Sequence, residues 1–286
     1  MSLIILENED MCIEICNPKD FDDVHFHTRF SHCGYITQIV NKKSGKALFG
    51  CAVDKFHPFH GEGFPDEFEI PLLYKNIAVG ENFVKIGVGL EKKLSQTPYT
   101  NWDEHPIVKK AETEVAQSGN AVSFVQRLEY AGVGYEYVKT IALGKTEYSI
   151  SHSLKNTGTL AWTTLWYSHA FLPLGGSGST VTLSKNTGGV LRTPSSNLVE
   201  MDDEAELFIS DLTTQGECFQ WDIECVDNFQ KVYIANGECI LDAIGDYQYQ
   251  ELQVYVNDRI ISVEPKLNIQ LGAGEQKCWK TVYKYS

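Results

Sequence analysis

The sequence has no apolar run approaching the roughly 18–20 residues that a membrane-crossing helix needs, which argues against a helical span. Basic residues are scarce, with 24 Lys and Arg against 38 Asp and Glu and a net charge of −14. Nucleic acid and anionic membranes are bound by clustered Lys and Arg, so neither is an expected partner. The first residues, Met1 to Leu6, show no basic n-region and soon meet acids, so no signal peptide is expected. None of the eight cysteines forms a C-x-x-C pair. Reduced thiols in a cytoplasmic protein are the expectation from compartment and spacing. No G-x-S-x-G elbow, phosphate-binding P-loop, Rossmann glycine pattern or zinc-type Cys/His spacing is present. No composition break, linker or repeat divides the 286 residues, and one domain over 1–286 is expected.

Helical periodicity is also missing, and what remains is β. Hydrophobic residues are 43% and charged residues 22%, ordinary globular usage. Runs rich in Val, Ile, Tyr, Phe, Trp and Thr recur at Phe83–Leu90, Ala121–Tyr130, Tyr135–Leu143, Tyr148–Leu154 and Trp162–Tyr167. They continue at Thr180–Leu183, Cys218–Val226, Lys231–Ala235, Leu252–Val256, Arg259–Val263 and Cys278–Tyr285. Turn residues fill the gaps, among them Ser118-Gly119-Asn120, Asn156-Thr157-Gly158 and Asn236-Gly237. In Tyr148–Leu154 the large residues skip by two, so one strand face is buried. Gln96–Val108 reads as a loop carrying Trp102, and the acidic Leu198–Leu212 as the place for a short helix. The expected class is all-β, a large antiparallel sandwich or barrel.

Three segments carry chemistry. His57–Glu69 mixes histidines, carboxylates, glycines and aromatic rings. Such a mix suits a polyhydroxylated ring, since carboxylates such as Glu62 accept hydrogen bonds from hydroxyls and glycines admit close backbone approach. It also suits an exposed polar loop. Trp166–Gly175 places His169 at the end of an aromatic strand, either at a cleft mouth or satisfied by backbone near the core. Arg259–Pro265 ends a β-branched strand on Glu264, with Pro265 as its stop. A buried carboxylate there would have a raised pKa and act as a base, while an exposed one would be an ordinary strand end. His25 and His27 would share one strand face, but the spacing fits no metal site and the region reads as solvated surface, so no metal is expected.

In order, these segments resemble the aldose 1-epimerase (galactose mutarotase-like) family from about His57 to the C-terminus. His60-Gly61 resembles that family's His-Gly pair. Tyr135-Glu136-Tyr137 and Ser153–Gly158 are similar to its central strands and Asn-containing turn. Tyr167-Ser168-His169-Ala170-Phe171 resembles its second histidine motif, and Ile261-Ser262-Val263-Glu264-Pro265 its glutamate segment. Leu271–Glu275, with the strand to Tyr285, resembles its closing turn and strand. The resemblance implies a β-supersandwich with a sugar cleft, no cofactor, and interconversion of the α and β anomers of an aldose. It implies Glu264 as the base at the C1 hydroxyl, His169 as the acid at the ring oxygen, and His60 as a sugar ligand. Asp242 is matched to the family's hydroxyl-binding Asp, and Trp166 and Phe64 to either sugar stacking or core. Family members often carry an Arg close to the first histidine, whereas here Glu62, Asp66, Glu67 and Glu69 follow His60. A phosphate would call for Arg or Lys, so the expected partner is a neutral small-molecule sugar. The competing readings are a non-catalytic carbohydrate-binding protein on the same scaffold, and a hydrolase using paired carboxylates among Glu62, Asp66 and Glu67.

Overall fold

Two-residue alternation organises the chain into strands that stack as layers. In the computed structural model, Val133–Leu143 buries every second side chain from Tyr135 to Leu143, and Glu147–Asn156 does the same from Tyr148 to Asn156. The structure describes residues 2–20, 27–53, 57, 59–173, 179–182, 187–191, 199–201, 206–209, 219–225, 231–235, 240–248, 251–257 and 259–285.

All pairings between these strands are antiparallel. The ten-stranded sheet runs in the order Val199–Met201, Glu206–Ile209, Ser179–Thr182, Lys231–Ala235, Ile240–Gly245, Gln276–Tyr285, Glu147–Asn156, Val133–Leu143, Ala121–Tyr130 and Glu112–Ser118. The seven-stranded sheet runs Thr187–Leu191, Phe219–Cys225, Glu251–Val256, Ile260–Leu271, Trp162–Ser168 and Asp66–Phe68, with Leu172–Pro173 also on Ile260–Leu271. Among the described residues there are also a four-stranded sheet from Leu3–Glu7 to Lys46–Ala47 and a three-stranded one from Asn82–Lys85 to Ile107–Lys110. Among the described residues the 3-10 turn Tyr74–Asn76 is the sole helical element, and no helix is long and apolar enough to cross a membrane.

The two large sheets meet through aromatic rings. Trp166 packs against Trp279 at 5.1 Å and His152 at 4.8 Å, and Phe68 meets Tyr137 edge-on at 5.0 Å. An ion pair crosses the same buried layer. Lys139 Nζ lies 2.7 Å from Asp66 Oδ2, which also accepts from the Tyr137 hydroxyl at 2.9 Å.

The structure departs from the sequence-based expectations in three places. Phe83–Leu90 is two strands, because Gly87 turns the chain at φ +87° with Ser31 pressed where a Cβ would stand. Val199–Met201 and Glu206–Ile209 are strands where a short helix was expected over Leu198–Leu212, residues 198, 202–205 and 210–212 lying outside the described set. Pro265 does not stop its strand, which runs on to Leu271. Proline is tolerated where no ladder bond is lost. On the Trp162–Ser168 side, pairing lapses between Leu267 and Ile261, and Pro265 falls in that gap. Cys12, Cys16, Cys33, Cys51 and Cys278 are free thiols.

Candidate active site

The gap beside Pro265 is where the site forms. After Ser168 the chain leaves the ladder, and its backbone is pinned elsewhere. His169 N–H donates to the Pro65 carbonyl at 2.9 Å and Phe171 N–H to the Gly63 carbonyl at 2.9 Å. Strand parity then sorts the side chains. Tyr167 and His169 point into a cleft, as do Glu264 and Lys266 from the next strand and Gln253 and Tyr255 from the one beyond. The cleft has a volume of about 370 Å³, and Arg29, His60, Glu69, Asn101 and Trp102 close its sides. That volume lies at the lower end of the range for small-ligand sites.

His169 Nε2 lies 3.0 Å from Glu264 Oε1, with the two side chains 4% and 1% exposed. The other ring nitrogen, Nδ1, is 3.0 Å from the Ser262 hydroxyl. Phe171 stacks on the imidazole at 4.0 Å, and Phe30 meets it edge-on at 5.7 Å. Gly61 makes this stacking possible. Its φ is +74°, and a Cβ there would stand 2.6 Å from Phe30 and 2.7 Å from Phe171. Gly61 therefore admits the rings that hold His169, rather than a ligand. Burial pushes Glu264 up to about 8, against the pull of the Arg29 and Lys266 charges. Burial, assisted by Arg29, pushes His169 well below its ordinary value. Both shifts favour a pair that is neutral overall and holds one proton between its two members.

Arg29 is the residue that reading the sequence missed. No Arg stands in the stretch just after His60, yet one reaches the cleft from before it. Its Nε donates to Glu67 Oε2 at 3.0 Å, another guanidinium N–H donates to the Phe59 carbonyl, and the group lies over the Phe30 and Trp102 rings at 4.5 and 4.7 Å. Glu67 also accepts from the Tyr167 hydroxyl at 2.5 Å and from Asn101 Nδ2 at 3.0 Å. Burial alone would raise Glu67, but Arg29, Lys85 and those two donors outweigh it and hold the carboxyl low. The second cation in the cleft, Lys266, lies 3.3 Å from Glu69 and 3.5 Å from Glu251.

The structure brings His169, Glu264 and His60 to one cleft. His60 stands at its mouth against Trp102 at 5.4 Å, and partial burial followed by the neighbouring His57 lowers its pKa. Glu62, Asp242 and Trp166 lie outside the cleft lining. Glu62 uses its backbone carbonyl to accept from the Tyr35 hydroxyl at 2.7 Å. Asp242 belongs to the ten-stranded sheet, opposite Lys284 and Tyr233. Trp166 is fully buried between the sheets, and Phe64 is also core, against Phe49 and Tyr283. One residue of parity separates Trp166 from Tyr167, and Asp66 from Glu67. Asp66 turns to Lys139 between the sheets. Glu67 is also absent from the lining and sits behind it, held by Arg29, Asn101 and Tyr167, which do line the cleft. His25 lies outside the described residues, and among those described no group of three or more His, Cys, Asp or Glu side chains converges for a metal.

Comparison with solved structures agrees with this architecture. A galactose mutarotase-like protein from Lactobacillus casei superposes with a TM-score of 0.66 over 100% of both chains at 14% identity. A candidate aldose 1-epimerase from Escherichia coli K12 gives 0.67 at 11% identity, covering 100% of this chain and 99% of its own. A galactose mutarotase related enzyme from Lactobacillus acidophilus gives 0.65 at 11% identity, covering 100% of this chain and 97% of its own. The fold is therefore galactose mutarotase-like. No protein-family model matches the sequence, and no curated protein matches it.

Proposed function

We propose that this chain is a cofactor-free aldose 1-epimerase acting on a neutral sugar, with Glu264 and His169 as its acid–base pair. The observation that carries the reading is the 3.0 Å approach of these two buried groups inside one cleft. Ring opening needs a base at the C1 hydroxyl and an acid at the ring oxygen. Glu264 and His169 exchange one proton across their 3.0 Å contact; in the form with Glu264 as carboxylate and His169 as imidazolium, the first takes the C1 hydroxyl proton while the second protonates the ring oxygen, and the aldehyde forms. Rotation about C1–C2 and the reverse transfers give the other anomer. The pair carries one proton before and after each opening, so the net charge buried in the cleft does not change. That balance suits a site in which an uncompensated charge would be costly. The free thiols at Cys12, Cys16, Cys33, Cys51 and Cys278 suit a cytoplasmic enzyme.

The neutral-sugar reading rests on charge matching. Arg29 and Lys266, the cations among the described lining residues, already face Glu67, Glu69 and Glu251. Anomer exchange followed by NMR on free aldoses and their 6-phosphates tests it. Acceleration is expected for free aldoses, with kcat/KM at least about tenfold lower on the phosphates, a difference of about 1.4 kcal/mol. Equal or better turnover of the phosphates would overturn the neutral-sugar assignment. Absence of acceleration on every aldose, with sugar binding intact, would support the binding-protein reading instead.

The pH profile is a second test. The active pair holds one proton, which it loses as pH rises through Glu264's value of about 8. A second proton is gained only at the strongly lowered value of His169. The expected kcat/KM is flat through neutrality and falls tenfold per pH unit above about 8. A rise in rate across pH 8 to 9 would contradict the assignment.

A further inference from the structure

A groove adjoins the cleft and shares two of its walls. Glu69 and Asn101 line both. Beyond them the groove encloses about 790 Å³, roughly twice the volume of the cleft itself, between the segments at Ile70–Asn76 and Gln96–Asn101. Its flanks are apolar and aromatic, with Ile70, Pro71, Leu73, Tyr74, Pro98 and Tyr99 among them. Its rims are polar, with Thr97, Thr100 and Asn76.

The walls are braced. Lys93 Nζ sits over the Tyr74 ring at 4.2 Å and donates to the carbonyls of Tyr74 at 3.1 Å and Ile77 at 2.9 Å. Tyr99 accepts a hydrogen bond from buried Lys85 and meets Tyr74 edge-on at 5.3 Å. Leu73 holds a left-handed backbone with φ 54° and ψ 21°, a conformation rare for a side chain of its kind. Such outliers persist where the surroundings force them, and ligand clamps are a common place for them.

The geometry points to a second saccharide subsite: we propose that the groove beyond Glu69 and Asn101 holds a neutral sugar unit attached to the ring in the cleft, so that the preferred substrate is a reducing disaccharide or longer chain. This inference rests on the proposed epimerase reading for its orientation. A ring with C1 at His169 and Glu264 extends along the strand toward Lys266, two residues or about 6.8 Å away. Its far edge then meets Lys266 and Glu69, which are 3.3 Å apart. A substituent on that edge enters the groove, where apolar flanks suit the C–H faces of a sugar and the polar rims its hydroxyls.

The test compares galactose and glucose with lactose, cellobiose and maltose, by anomer-exchange kinetics and by calorimetric titration. Wild type is set against Ile70→Arg and Thr100→Trp, exposed positions that line only the groove. At least one disaccharide is expected to bind about tenfold more tightly than its monosaccharide, with a correspondingly higher kcat/KM. Either variant is expected to erase that advantage while leaving monosaccharide constants within about twofold. Equal affinity for monosaccharides and disaccharides, or an advantage that survives in both variants, would overturn the subsite. Groove-dependent disaccharide binding with no anomer exchange on any sugar would retain the subsite and remove the epimerase.

Discussion

Replacing Glu264 by Gln is expected to lower kcat for anomer exchange by about 10²- to 10⁴-fold, the range that a positioned general base supplies. Gln keeps the shape and the neutral hydrogen-bonding capacity of the protonated acid but takes no proton from a C1 hydroxyl. Sugar affinity should change far less, because the remaining cleft side chains are untouched. Stability provides the control. The folded carboxyl is raised from 4.5 to about 8 by burial. Its stabilising contribution is thus fully present below about 4.5 and is lost as pH rises through about 8, since the unfolded chain releases its proton first. Glu264→Gln lacks that loss, so its Tm should match or exceed wild type at pH 8. Slow exchange in a protein at least as stable as wild type would isolate the chemistry from folding. An unchanged kcat would remove Glu264 from its role.

The largest expected effect on stability lies behind the cleft. Asp66→Ala should cost roughly 3–5 kcal/mol, because it leaves Lys139 charged and enclosed between the sheets. For a chain of this size that corresponds to a fall in Tm of roughly 10 °C. The double change Asp66→Leu with Lys139→Met should recover most of the loss, since apolar side chains of similar volume avoid the desolvation cost of both ions. Denaturant titration of the single and double variants reads this directly. A cost under about 1 kcal/mol for Asp66→Ala would show that water reaches the pair.

Most of the strand plan was legible. Ala121–Tyr130 and Lys231–Ala235 were read with their observed limits, and Trp162–Tyr167 to within a residue. Local information suffices there, because a half-buried strand writes its own period into its side chains. The N-terminal sheet was not read, since Leu3–Glu7 and Met11–Cys16 are short and adjoin polar turns. Pro265 misled because proline is a local stop signal, and its tolerance depends on a gap in the neighbouring strand. His60, His169 and Glu264 were picked out by residue type at strand and turn ends, and all three line the cleft. Arg29 was invisible as a cleft residue because its partner Glu67 lies 38 positions away.

What the sequence determined by itself was the strand class and the supply of acid–base groups, both encoded over a few residues. Tertiary structure decided which face of each strand looks into the cleft and which into the core. Neighbours such as Trp166 and Tyr167, or Asp66 and Glu67, differ only in parity, and parity has no meaning until another sheet covers one side. The same holds for charge. Glu67 and Glu264 are both buried carboxyls, and Arg29 with two further donors holds one low while burial drives the other up. A carboxyl's proton affinity follows from the dielectric and the charges around it, and those are set by chain segments that meet only on folding.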